Sequence, residues 1–167
     1  FPSLPEDAAD ARMTLPTRWF DDETTIGGGD VRLVVRRTGG HTVDSSSAIL
    51  AGEGVVLAGD LVQARRRPYF GEPDTDLAAW IAALAGWQAM PPKAVVGGHG
   101  PVVDAAGLAA IRTWFAGTAS AVAALKRAGV PVADVVDHAD LPAGYWPADE
   151  PVKPWWGGCY ARLYERS

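Results

Sequence analysis

Three short runs along the middle of the chain constrain its fold more than any other feature. They are Gly39-Gly40-His41-Thr42-Val43-Asp44-Ser45-Ser46, Leu57-Ala58-Gly59-Asp60 and Val95-Val96-Gly97-Gly98-His99-Gly100. Each follows an apolar strand-like segment, or lies in the loop beside one, and carries a metal-capable side chain next to glycine. His, Asp and His offer imidazole nitrogen and carboxylate oxygen, donors that suit zinc. Glycine lets the backbone turn sharply beside them. If the three serve one centre, they meet at one edge of a sheet. Their donor atoms then lie within about 4–7 Å of one another, since ligands sit about 2.0–2.2 Å from an ion.

The segments between the runs read as alternating strands and helices. Residues 1–17 are rich in proline and acidic residues and read as an irregular arm. From Arg18 the pattern favours strands. Thr24, Thr25 and Ile26 precede a Gly27-Gly28-Gly29-Asp30 turn, and Val31 to Arg37 forms a second strand. Ser47–Ala51 and Val55–Ala58 read as a hairpin about Gly52-Glu53-Gly54, with Asp60 directly after its second arm. Asp74 or Thr75 can cap a helix whose Leu77, Trp80, Ile81, Leu84 and Trp87 recur on one face, and Pro91-Pro92 ends it. Lys93 to Val96 is a short strand leading to His99. Asp104 caps a second helix with Leu108, Ile111, Phe115, Val122 and Leu125 inward, stopped at Gly129 and Pro131. A short helix follows near 133–138, and the tail from Leu141 reads as loop anchored by Tyr145, Trp146, Trp155 and Trp156. The division is an arm over 1–17, an αβ unit over 18–130 and a tail over 131–167.

Bulk properties exclude several classes. A chain of 167 residues suits one domain. Its net charge of −5 argues against a dedicated nucleic-acid binder. No apolar run suggests a membrane span. The single cysteine, Cys159, has no partner for a disulfide within the chain. Ser45 to Ser47 lacks a nucleophile elbow, and no phosphate-binding glycine fingerprint is present.

Each singled-out residue also has a plainer reading. His41 and His99 can be loop or core histidines. Asp60 can be a turn residue, although a carboxylate ending an apolar strand is costly unless something pairs with it. Asp44, Ser45 and Ser46 read as turn residues or as partners of His41. His138, between Asp137 and Asp140, reads as surface. Arg65-Arg66-Arg67 reads as a solvated face, with an anionic substrate as the alternative. Tyr69 and Phe70 line a cleft or belong to the core.

In this order, the three runs resemble the C-terminal half of the metallo-β-lactamase superfamily, over roughly residues 18 to 128. The resemblance implies an α/β fold, the second αβ half of an αβ/βα sandwich. It implies His41, Asp60 and His99 as metal ligands, with Asp60 also catalytic as a bridge between two ions. The implied activity is zinc-dependent hydrolysis of a small-molecule ester, thioester, lactam or phosphodiester by a metal-bound hydroxide, through one or two zinc ions, with iron or manganese as alternatives. The family's His-x-His-x-Asp-His run is missing from this sequence, which holds only His41, His99 and His138. The chain is therefore expected to be part of a longer protein, to hold metal weakly alone, and to pair with an N-terminal half or with a second copy. A bacterial cytoplasmic or periplasmic setting fits this family. The competing expectation is a binding or assembly module that keeps the fold without the chemistry.

Overall fold

The computed structural model describes residues 12–167. The arm read over 1–17 lies outside the described residues as far as residue 11, and 12–22 form no helix or strand. Five strands then make one sheet in chain order: β1 (Glu23–Gly28), β2 (Val31–Arg37), β3 (Ser46–Leu50), β4 (Val55–Gln63) and β5 (Ala94–His99). β1 to β4 form an antiparallel meander. β5 runs parallel to β4, because α1 (Leu77–Ala89) carries the chain back across the sheet between them. α2 (Ala105–Arg127), α3 (Val132–Val135) and α4 (Trp156–Arg166) follow.

The helices close one side of the sheet. Trp80, Leu84 and Trp87 of α1 meet Leu108, Ile111, Phe115 and Val122 of α2 over Val56, Ala58 and Val95. The apolar spacing of both helices is what buries them there. Asp104 caps α2 as expected, accepting the Gly107 N–H at 2.8 Å. The cap of α1 is Asp76, not Asp74 or Thr75; its carboxylate accepts the Ala79 N–H at 3.0 Å. The two residues before it are engaged elsewhere. By length and composition α2 could cross a bilayer, contrary to the sequence reading. In this fold its apolar stripe is core.

The tail is not loop throughout, since residues 156–166 are helical. Trp156, Cys159 and Tyr160 are buried, and Leu163 packs partly against the core. Gly157 and Gly158, in its first turn, are poor helix formers, which hides the helix in the sequence. Burying Trp156 and Tyr160 against Phe70, with ring centroids 5.7 and 5.4 Å away, outweighs that poor propensity. The same burial pushes the Cys159 thiol up to about 11, so it is a core group rather than a reactive one.

The described residues leave the other side of the sheet partly open. The register places Ile26, Val31, Leu33, Val35, Ala48, Leu50, Val55, Leu57, Ala94 and Val96 on a single face. No helix among the described residues covers it. Ile26 is 52% exposed, Val31 57%, Leu57 38% and Val96 37%. A solvated sheet face ordinarily alternates to polar residues; this one does not.

Candidate metal centre

Asp60 and His99 meet at the C-terminal end of the parallel pair β4–β5. Between the partners Gly59↔Gly97 and Gln63↔His99, β4 has three residues where β5 has only Gly98. β4 therefore bulges, and Gly59 takes φ +54°, a conformation that favours glycine. The strand continues through the bulge to Gln63 instead of ending before Asp60. A bulge frees carbonyls from the ladder, and side chains recover two of them. Gln63 Nε2 donates to Asp60 O at 3.2 Å, and the buried Trp80 Nε1 donates to Leu61 O at 2.8 Å.

The glycines of the third run are there for close approach. A Cβ on Gly98 would collide with the Asp60 carboxylate, and one on Gly97 with the Val62 carbonyl. With neither present, the bulge lies directly on β5 and Asp60 Oδ1 sits 3.4 Å from His99 Nε2. Both side chains remain open, 46% and 48% exposed.

The His41 loop is fixed by other means. It runs from Thr38 to Ser45 between β2 and β3, and Thr38 and Gly39 N–H both donate to Ser45 O. Thr42, Asp44 and Ser45 serve as turn residues. Thr42 Oγ1 donates to the Asp44 carboxylate at 2.7 Å, and this bond holds the Asp44 carboxyl below its ordinary value. Gly40, at φ +106°, lies so close to Leu61 and Trp80 that a Cβ would strike both. The His41 ring stands edge-on to Trp80 at 5.4 Å and 6.2 Å from Tyr69. Trp80 thus touches the first run and bonds the residue after Asp60, a linking role that its helical spacing did not reveal.

The remaining candidates separate. Phe70 is core, whereas Tyr69 is half-buried between His41 and Trp155. Burial first, then the Glu72 carboxylate, raises the Tyr69 hydroxyl. Tyr69, His99, Gln63 and Arg66 border an open cavity of about 480 Å³. Arg67 is drawn away from solvent: its guanidinium lies over the Trp146 and Trp156 rings at 5.1 and 5.3 Å. His138 sits in a surface turn, where its Nδ1 accepts the Asp140 N–H.

The donor chemistry fits a metal in part. Ligands about 2.1 Å from a tetrahedral ion lie about 3.4 Å apart, which is the separation of Asp60 Oδ1 and His99 Nε2. Among the described residues, no group of three or more His, Cys, Asp or Glu side chains gathers closely enough to hold an ion. The structure thus joins Asp60 to His99 and leaves His41 on the adjoining loop.

Comparison with known proteins agrees with this architecture. The family model of the metallo-beta-lactamase superfamily matches residues 3–99. The chain belongs to that superfamily, whose members are mostly hydrolases and typically bind metal ions. A metallo-beta-lactamase from Pontibacter korlensis is 31% identical, with a TM-score of 0.50 over 64% of this chain and 51% of its own. A metallo-beta-lactamase family protein from Thermus thermophilus has a TM-score of 0.62 at 19% identity, over 92% of this chain and 48% of its own. The stereoselective inverting sec-alkylsulfatase Pisa1 from Pseudomonas sp. has a TM-score of 0.65 at 16% identity, over 89% of this chain and 26% of its own. The last two share the fold. The chain spans about half the length, or less, of these structures. No curated protein matches the sequence.

Proposed function

We propose that this chain carries the second-half residues of a zinc-dependent hydrolase with a dinuclear site. Asp60 and His99 form one corner of that site, and His41 is a ligand on the loop beside it. The observation that carries this reading is the 3.4 Å approach of Asp60 to His99, made by a bulge that only glycine at 97 and 98 allows. The chemistry such an ion supplies when bound is polarisation of a carbonyl or phosphoryl oxygen and acidification of a water. The chain's own residues do the rest. Asp60, half-open, would help hold a cation or accept from a donor on the substrate. His99 offers Nε2 at the cavity mouth. Tyr69 and Gln63 wall the space where a small ester, thioester, lactam or phosphodiester would lie.

The partly open apolar sheet face belongs to the same proposal. It takes the first αβ half of the sandwich, or the matching face of a second copy, so that two sheets bury each other. The first half, unlike a second copy, would bring the His-x-His-x-Asp-His ligands this sequence lacks. The test is reconstitution with a segment bearing that run, followed by chelation and reloading with zinc. Hydrolysis should appear, Asp60→Ala should abolish most of it, and His138→Ala should leave it intact. Equal activity of the two variants would remove Asp60 from the site.

A second reading is favoured by the lack of any three-residue donor group among the described residues: a binding module that keeps the fold without the metal. Zinc analysis of the reconstituted protein after dialysis separates the two. Retained zinc that Asp60→Ala releases supports the hydrolase; no retained zinc supports the module.

A further inference from the structure

The helix at the end of the chain reaches the first histidine loop through a relay of hydrogen bonds, and we propose that Arg166 is a positioning residue for His41. Its guanidinium donates to the carbonyls of Pro73 and Thr75, more than ninety residues earlier in the sequence. Those carbonyls belong to the turn that leads into α1, and the turn is tied to the His41 loop at three consecutive residues. The Asp74 carboxylate accepts the Val43 N–H at 2.9 Å, the Thr75 hydroxyl donates to His41 O at 2.8 Å, and the Asp76 N–H donates to Gly40 O at 2.8 Å. This is why Asp74 and Thr75 do not cap the helix.

Apart from the buried Thr75, this turn faces solvent at Pro73, Asp74 and Asp76. A cavity of about 500 Å³ lies against it, walled by Phe70, Leu77, Ala119, Ala123 and Leu163. A segment exposed at three of its four residues makes fewer packing contacts than a core element, so its hydrogen bonds set its place. A planar guanidinium reaches the two carbonyls from two separate nitrogens held in a fixed fork, a geometry that the single nitrogen of an ammonium does not share. The fork is also rigidly mounted. Lys126 Nζ donates to Glu165 O at 3.2 Å and Ser167 O at 2.7 Å, and Tyr164 Oη donates to Val130 O at 2.9 Å. The relay runs from α2 through α4 and the turn to His41. It rests on the metal reading only for why the placement of His41 matters.

The test uses the full 167-residue chain without metal, labelled with ¹⁵N. The three histidine rings are followed by NMR, and the Val43 and Asp76 amides by hydrogen exchange. In Arg166→Gln, the His41 ring resonances should shift and both amides should lose about tenfold in protection, with His138 unmoved. Unchanged His41 and amides would overturn the proposal, as would an equal change at His138, which would mean general loosening. If Arg166→Gln does not fold, Arg166→Lys decides on the same readout, because it keeps the charge and loses the fork. A His41 shift with His138 unmoved upholds the relay, and wild-type behaviour overturns it. Failure here leaves the metal reading intact, since no metal is in the sample; that reading falls to the zinc-retention measurement on the reconstituted protein.

Discussion

His41 and His99 stand in neighbouring parts of the molecule and are held there by opposite means. His99 ends a strand, and its approach to Asp60 depends on atoms that are missing: Gly97 and Gly98 have no Cβ, so the bulge of β4 rests on the backbone of β5. His41 lies on a loop, and its place depends on groups that are present: the Trp80 ring, the Thr75 hydroxyl and the Asp76 N–H. A strand fixes a residue through its ladder. A loop has no ladder and must borrow partners, here from α1, from the turn before it and, through Arg166, from α4. The two kinds of support should therefore fail differently when altered.

The largest effect is expected on the His41 side. Trp80 is fully buried and packs on Phe115 with ring centroids 4.5 Å apart. Trp80→Ala should cost about 3–5 kcal/mol in urea denaturation and should free the His41 ring. Trp80→Phe should recover most of the packing but strand the Leu61 carbonyl, at about 1–3 kcal/mol. A loss below about 1 kcal/mol for the alanine variant would mean that Trp80 is not the link between the two regions.

On the His99 side the effect should be smaller and should depend on which glycine is changed. Gly97→Ala meets the Val62 carbonyl, backbone against backbone, and should cost about 1–3 kcal/mol. Gly98→Ala meets mainly the Asp60 carboxylate, which can swing aside. Its stability cost should be the lesser of the two, while its effect on the Asp60–His99 pair is the greater. Stability by urea and His99 ring shifts by NMR separate the two variants. Equal behaviour would mean that the close approach does not place Asp60.

The smallest effect on stability belongs to the pair itself. Asp60 and His99 are about half exposed, and such surface pairs contribute roughly 0–1 kcal/mol. Asp60→Ala should therefore melt within about 1 kcal/mol of the parent chain. A much larger loss would make Asp60 a structural residue of the bulge, and the metal reading would lose its reason for a carboxylate there.

Much of this was legible in the residues. The strands about Val31–Arg37 and Val55–Ala58, the two long helices, the Asp104 cap and the stops at Pro91 and Gly129 follow from local preference and apolar period, which are properties of neighbouring residues. The pairing of Asp60 with His99 was legible as a shared setting, strand followed by glycine, and not as a distance. The helix over 156–166 read as loop, although Trp156, Tyr160 and Leu163 recur at helical spacing. Gly157 and Gly158 argued locally against it, and partners far along the chain, Phe70 and Trp114 among them, make the helix worth forming.

What the sequence determined by itself was therefore the kind of fold and the candidate metal-ligand side chains, because both are written in residue type and short-range spacing. The tertiary structure alone decided three further matters. It placed a bulge at Asp60, apolar residues that no described helix covers along one sheet face, and Arg166 beside the turn that holds His41. Each of these arises between segments far apart in the chain, where register, close approach and hydrogen-bond partners are set by which surfaces meet, and no local pattern encodes that meeting.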